Sequence, residues 1–168
     1  MVLMYLLWAC APKKSSLMTT EAHEMYTISS LDQLDVRTSL PLPNPLQKKI
    51  NDALQQRGIG PKSLQPGEGY AELRNSNQRI QLFSERPLLL IETNAQFFSQ
   101  LEGRFRWTVD VRMHLEASDG TIFSRIFSVP VFHQFHHQRE EESLEAAQPQ
   151  ILRELNQMLD DYVRGYRP

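Results

Sequence analysis

The sequence has little that would support catalysis, nucleic-acid binding or a cysteine-based metal site. Cys10 is the only cysteine among 168 residues, so an intrachain disulfide and a four-cysteine zinc site are both excluded. The formal net charge is -2, with basic and acidic residues interleaved, which gives no electrostatic case for nucleic acid. Phosphate-binding glycine loops, dinucleotide fingerprints and nucleophile elbows are missing. These absences predict a protein that is not an enzyme and holds no cofactor.

Long apolar runs are also scarce, and the one at the N-terminus is informative. Residues 1–9 (MVLMYLLWA) are unbroken apolar sequence, far short of the roughly 20 residues that a membrane-spanning helix needs. The run is typical of the hydrophobic part of a signal peptide, and it stops at Cys10. The alternative is a short buried segment with an ordinary buried cysteine. Residues 10–27 are polar and rich in Ser, Thr and Lys, which predicts a flexible tether, and residues 28–168 are long enough for a single domain.

Residues 105–117 alternate between apolar and polar side chains without exception. The apolar set is Phe105, Trp107, Val109, Val111, Met113, Leu115 and Ala117. Because successive side chains of a β-strand point to opposite faces, this pattern predicts a half-buried strand. We call its apolar side the Trp107 face, and the other elements must cover it.

A returning strand, residues 122–132, follows an Asp-Gly pair that favours a tight hairpin turn. With a two-residue loop, Phe123, Arg125 and Phe127 would lie on the polar side of the first strand. A longer loop with a bulge would shift the register by one residue and send the phenylalanines into the core. Sequence alone leaves both registers open.

Helical periodicity occurs in two places. The first helix is predicted to have Asn44 as its N-cap and Pro45 at its first helical position, and to end near Gly58. The second covers residues 139–165, with a kink or a fresh start at Pro149. The prediction is an α+β domain, an antiparallel β-meander sheet with one short helix and one long C-terminal helix packed on the Trp107 face.

Three weaker patterns complete the predicted order of elements. Residues 34–40 alternate loosely and predict a first strand, ended by the prolines that follow. The Gly- and Pro-rich residues 59–69 predict a loop. Residues 88–91 are continuously apolar, which is typical of a strand covered on both faces.

Basic and aromatic side chains near the hairpin form a candidate partner-binding site. Its members are Arg104, Arg106, Arg112 and Arg125, with Phe123 and Phe127 in the two-residue register. Guanidinium groups bind anions and stack on aromatic rings, so this patch suits an anionic amphipathic molecule or the surface of another protein. The alternative is an ordinary solvated face in which Arg106 and Arg112 pair with Asp110.

A histidine cluster is the other candidate. His133, His136 and His137 follow the returning strand and could hold a divalent metal or a small ligand. A structural zinc site usually draws its ligands from two separated segments, however, and no second segment is visible. We therefore predict no metal site, and the cluster is an alternative.

The N-terminus resembles a bacterial lipoprotein signal. In that signal an aliphatic residue stands three places before the lipidated cysteine and a small residue stands just before it, as Leu7 and Ala9 do before Cys10. Trp8 is bulkier than the pattern prefers. The resemblance implies that Cys10 carries the lipid anchor.

The order of elements from residue 34 to residue 165 is similar to that of small Gram-negative periplasmic lipoproteins, with the lipopolysaccharide-assembly lipoprotein family nearest in layout. One departure is Ala11-Pro12 after the cysteine, where family members continue with Gly and an aromatic residue. The resemblance implies an accessory to outer-membrane assembly or export. Because Ala11 rather than Asp follows Cys10, it also implies anchoring at the periplasmic face of the outer membrane. The alternative function is a periplasmic metal- or small-ligand-binding protein that uses the histidine cluster.

Overall fold

The computed structural model describes residues 23–34, 41–64, 87–134 and 140–165. Within these ranges the chain forms six strands and two helices. In chain order they are β1 (His23–Leu34), β2 (Pro41–Pro43), α1 (Gln47–Gln55), β3 (Ile59–Ser63), β4 (Leu88–Leu101), β5 (Arg104–Glu116), β6 (Ile122–His133) and α2 (Glu140–Gly165). Cys10, His136, His137 and residues 35–40 of the strand predicted at residues 34–40 lie outside the described residues.

The described strands form one mixed sheet in the order β2, β1, β4, β5, β6, with β3 beside β1 on the edge that β2 also occupies. Strand β1 is parallel to β3 and β4, whereas β4, β5 and β6 form an antiparallel meander. The meander is therefore confirmed, and the prediction of a purely antiparallel sheet is wrong. Parallel neighbours need a crossover connection, and α1 lies in the connection from β1 to β3.

Strand β1 has no apolar pattern because much of its buried surface is polar. Thr27 and Ser29 are buried, and hydrogen bonds to α1 satisfy them. The Ser29 hydroxyl lies 2.6 Å from Oε1 of Gln47, and Nε2 of Gln47 donates to the Thr27 hydroxyl at 3.2 Å. The strand begins at His23, so the predicted tether is wrong for residues 23–27. Strand β3 likewise replaces part of the predicted loop.

Helix α1 begins two residues later than predicted, at Gln47. Asn44 instead stabilises the turn before it, since its Oδ1 accepts from the backbone N–H of Leu46 at 2.9 Å. Its Nδ2 donates to the Thr93 hydroxyl of β4 at 3.0 Å, which ties the turn to the sheet. Gly58, with a φ of 74°, follows the helix as predicted.

Helix α2 continues through Pro149, so the alternative of a fresh helix start at that residue is wrong. Three glutamates lie in its first turn, where the helix dipole favours negative charge. In the described part of the chain, neither helix is long and apolar enough to cross a membrane.

Both helices pack on the Trp107 face, as predicted. One buried cluster joins the apolar sides of α1, α2 and the sheet. It includes Ile50, Leu54, Leu89, Ile91, Val109, Val111, Met113, Leu115, Leu144, Ala147, Ile151, Leu155 and Leu159. A smaller cluster of Ile28, Leu88 and Leu90 lies on β1 and β4. The other face of β5 and β6 thus lies opposite the helices, and we call it the open face.

Replacing Leu155 with alanine tests this packing. Leu155 is fully buried, so Leu155→Ala should lower the free energy of unfolding by about 2 to 5 kcal/mol. The matched control is Gln157→Ala on the exposed side of the same helix, which should change it by less than about 0.5 kcal/mol. Urea denaturation of both variants measures the difference. Equal losses would mean that α2 does not cover the sheet.

Candidate partner-binding face

The connection between β5 and β6 decides which side chains reach the open face. The last pair of the ladder is Glu116 with Ile122, and the Ala117 N–H donates to the Thr121 carbonyl at 2.9 Å. Residues 117–121 therefore form the connection, and Gly120 within it has a φ of 84°. The two-residue register is wrong, and the longer connection is confirmed. Odd-numbered residues of β6 consequently share the Trp107 face with odd-numbered residues of β5.

This register moves three predicted partner-binding residues away from the open face. The Phe123 ring packs edge-on against Tyr162 of α2, with ring centroids 6.0 Å apart. Arg125 forms an ion pair with Asp161 at 3.1 Å, and Phe127 packs against the main core. Their predicted position on the open face is wrong, because the strand alternation carries all three to the helix side.

Arg106 and Arg112 lie on the open face, as predicted, and alternation places the exposed Arg104 on the same side. Asp110 lies between the first two but accepts a hydrogen bond from Ser128 of β6 at 2.5 Å. In the described ranges neither arginine forms an ion pair with Asp110. The simple charge pairing offered as an alternative is not what the structure contains.

Exposed apolar side chains stand directly across from these arginines. Ile126 is 79% exposed and pairs with Arg112, and Phe132 is 57% exposed and pairs with Arg106. Ile122, 54% exposed, extends the apolar row toward the hairpin connection. Sequence reasoning missed this row because β6 carries apolar residues at both odd and even positions, and only the register shows which set is outside.

Arg106 makes a further contact with an exposed aromatic ring. Its guanidinium carbon lies 4.7 Å from the centroid of Phe98, within range of a cation–π interaction. Phe98 lies where the pairing of β4 with β5 shifts, between Phe97 and Ser99. The Nε atom of Arg106 is buried and has no hydrogen-bond partner among the described residues. One end of the open face therefore combines a cation with two exposed rings.

A shallow depression of about 300 Å³ lies on the open face near Arg112. Its lining includes Leu90, Glu92, Arg112, His114, Ser124 and Ile126. The His114 ring lies 3.6 Å from the Glu116 carboxylate. The depression offers a cation, an imidazole, a carboxylate and an apolar wall to a partner that lies across the strands.

His133 has a structural position at the end of β6. Its ring is buried, its Nε2 lies 2.8 Å from the Ser143 hydroxyl of α2, and Trp107 packs edge-on against it at 6.5 Å. Within the described ranges no group of three or more His, Cys, Asp or Glu side chains could hold a metal ion. His136 and His137 lie outside those ranges, so the histidine cluster stays an alternative.

No protein-family model matches the sequence, and no curated protein matches it. Among solved structures the chain is similar to rare lipoprotein B from Shewanella oneidensis, with 8% identity, a TM-score of 0.41, and 84% of this chain and 95% of that chain covered. It is also similar to lipoprotein GNA1162 from Neisseria meningitidis, with 12% identity, a TM-score of 0.40, and 78% and 98% covered. It is similar as well to a minor lipoprotein from Acinetobacter baumannii, with 10% identity, a TM-score of 0.38, and 85% of this chain and 89% of that chain covered. At such identities and TM-scores, the function must be argued from this chain's own residues.

Removing the Ser143 hydroxyl tests the structural role of His133. Ser143→Ala should lower the free energy of unfolding by about 1 to 3 kcal/mol, because a buried imidazole nitrogen loses its partner. The control Ser124→Ala, at an exposed position, should stay within about 0.5 kcal/mol of wild type. Thermal denaturation of the wild type and both variants, with and without zinc, measures these changes in stability. A wild-type protein strongly stabilised by zinc, with no effect of Ser143→Ala, would contradict the structural role.

Proposed function

We propose that this chain is a non-enzymatic accessory lipoprotein of the bacterial envelope, and that its open face binds an envelope protein or an anionic amphipathic molecule during outer-membrane assembly or export. The observation that carries the proposal is the pairing of exposed apolar side chains with arginines across β5 and β6. The resemblance of the N-terminus and of the element order to envelope lipoproteins supports the cellular setting.

The open face repeats one arrangement twice. Arg112 lies opposite Ile126, and Arg106 lies opposite Phe132, six residues along each strand. At about 3.4 Å per residue the two pairs are roughly 20 Å apart. Each pair sets a guanidinium beside an apolar surface. An amphipathic molecule with anionic and hydrocarbon parts meets both requirements at each position.

Burial of apolar side chains and hydrogen bonding by the arginines both favour binding of a partner to the open face. Covering an exposed isoleucine or phenylalanine contributes about 1.5 to 3 kcal/mol when the side chain becomes fully buried. A guanidinium also donates several hydrogen bonds to a phosphate or carboxylate, in a geometry that matches both groups. Monomeric proteins rarely expose large contiguous apolar patches unless the patch binds something.

The cellular address rests on the N-terminal sequence. The apolar run ending at Cys10 supports cleavage and lipidation, and Ala11 supports sorting to the periplasmic face of the outer membrane. The tether would then join the lipid to the start of β1. The open face would act in the periplasm, near the membrane to which the chain is attached.

Charge reversal at Arg112 tests the open face. Arg112→Glu should weaken binding of purified lipopolysaccharide or of partners recovered from detergent-solubilised envelope by about tenfold, which corresponds to about 1.4 kcal/mol. The exposed arginine contributes little to folding, so the melting temperature should be nearly unchanged.

The matched control is Arg153→Glu on α2, which makes the same charge change at a side chain that is 62% exposed. It should bind as wild type does. If Arg112→Glu, alone and combined with Arg106→Glu, also retains wild-type binding to lipopolysaccharide and to every recovered partner, the open face is an ordinary solvated surface.

Replacing Cys10 tests the address separately. Cys10→Ser removes the only thiol, so the variant should lose lipid labelling and appear in the soluble periplasmic fraction. Intact-mass measurement of wild-type protein from native membranes should show a lipid-modified N-terminal cysteine. An unmodified Met1 or a free Cys10 thiol in that sample would refute lipid anchoring.

A further inference from the structure

Strand β6 forms the outer edge of the sheet in the described part of the chain. It has 12 residues, and its pairing with β5 continues from Ile122 to His133 without a register shift. Edge strands of soluble proteins are usually protected from pairing by short length, bulges, charged side chains or proline. Because β6 is long and has no bulge, the features left to consider are charged side chains and proline.

The direction of the backbone groups follows from the hairpin. Ala117 and Thr121 are opposite each other and joined by a hydrogen bond, so the odd-numbered pairs that follow are the hydrogen-bonded pairs of the β5–β6 ladder. Even-numbered residues of β6 therefore point their N–H and C=O groups outward. Pro130 is even-numbered and lacks an N–H, so it interrupts the outward row. Residues 122–128 contain no proline and keep the complete row.

The side chains of this segment offer no charge to repel a neighbouring strand. Its only charged residue, Arg125, is already paired with Asp161. On the open face the segment presents Ile122 and Ile126, with Ser124 between them. Within the described part of the chain, residues 122–128 of β6 are therefore an edge open to strand pairing, and their one charge is already paired.

We propose that this edge pairs with the same edge of a second copy of the chain, in an antiparallel dimer centred on Ser124. In that register Ser124 faces Ser124 of the second copy, and Ile122 faces Ile126. Three outward pairs exchange about six backbone hydrogen bonds. On the helix side each Arg125 faces the partner's Phe123, an arrangement that suits cation–π contact.

The two registers shifted next toward the C-terminal end of β6 are worse. Centring the pairing between Ser124 and Ile126 would set Ile126 opposite Ser124 and Ile122 opposite Ser128, so each isoleucine would face a serine. Centring it on Ile126 would set Ile122 opposite Pro130, and two outward donors would be lost. The Ser124 register places apolar side chains against apolar ones and leaves Pro130 outside the paired segment.

A second copy suits this edge better than a strand from another protein. The segment is compatible with itself in the antiparallel direction that a two-fold axis requires, and such a contact closes after two copies. Nothing in its neutral row of Ile and Ser selects a charged or unusual partner sequence. The dimer goes beyond the proposed function, because it would join two open faces into one continuous sheet surface whether or not either face binds a ligand.

Single-cysteine cross-linking tests the register in the full chain carrying Cys10→Ser, where an added cysteine is the only thiol. Opposed residues of a hydrogen-bonded antiparallel pair have Cα atoms about 5.5 Å apart, which suits a disulfide. Ser124→Cys should therefore form a covalent dimer under mild oxidation. The matched control Ser128→Cys, on the same face of the same strand, would be roughly 27 Å from its copy and should not. Equal cross-linking of the two variants, or none in Ser124→Cys, overturns the proposal.

Sedimentation velocity without added cysteines gives an independent measurement. Wild-type protein should show a dimer that dissociates on dilution, and Ile126→Lys should raise its dissociation constant at least about tenfold, because lysine protects an edge from pairing. Phe132→Lys, also exposed on β6 but outside the paired segment, should dimerise as wild type does. A wild-type protein that is monomeric at every concentration would overturn the dimer, and the edge would then be left for a strand of another protein.

Discussion

The register between β5 and β6 is the constraint on which the rest of this structure depends. It places Val129 and Val131 under the helices, whereas the two-residue register would place Ser128 and Pro130 there. Burying a valine side chain contributes about 1.5 to 3 kcal/mol, and a serine contributes no such term. At these two positions the longer hairpin connection, with Gly120 at positive φ, therefore buries more apolar side chain than the two-residue loop would. Phe123 and its contact with Tyr162 follow from the same choice.

The same register also determines the outer surfaces. Because the odd-numbered residues of β6 face the helices, its even-numbered residues lie on the open face. Ile122, Ile126 and Phe132 are therefore exposed beside Arg106 and Arg112. Even residues likewise direct their backbone groups to the edge of the sheet. One local connection thus sets the composition of the core, the binding surface and the pairing edge. A register shift by one residue would move the core residues of β6 to the open face and its open-face residues to the core. It would also turn the backbone groups of the odd-numbered residues to the edge.

Sequence alone predicts the elements that rely on apolar periodicity. The alternation of β5 and the stripe of α2 identify both partners of the main core, and Arg106 and Arg112 are placed correctly for the same reason. Strand β1 is missed because Thr27 and Ser29 fill buried positions through hydrogen bonds to Gln47, which no apolar pattern records. The exposed residues of β6 are missed because both of its faces are partly apolar, so only packing against α2 selects the register.

The central claim is that the open face of β5 and β6 binds an anionic amphipathic partner. Methyl NMR of isoleucine-labelled protein titrated with purified lipopolysaccharide tests it most directly, since the chain carries isoleucines on both sides of the sheet. The account predicts that the methyl signals of Ile122 and Ile126 shift, while those of the buried Ile50, Ile91 and Ile151 stay nearly constant. Shifts confined to the buried isoleucines, or no shifts at all, would contradict it.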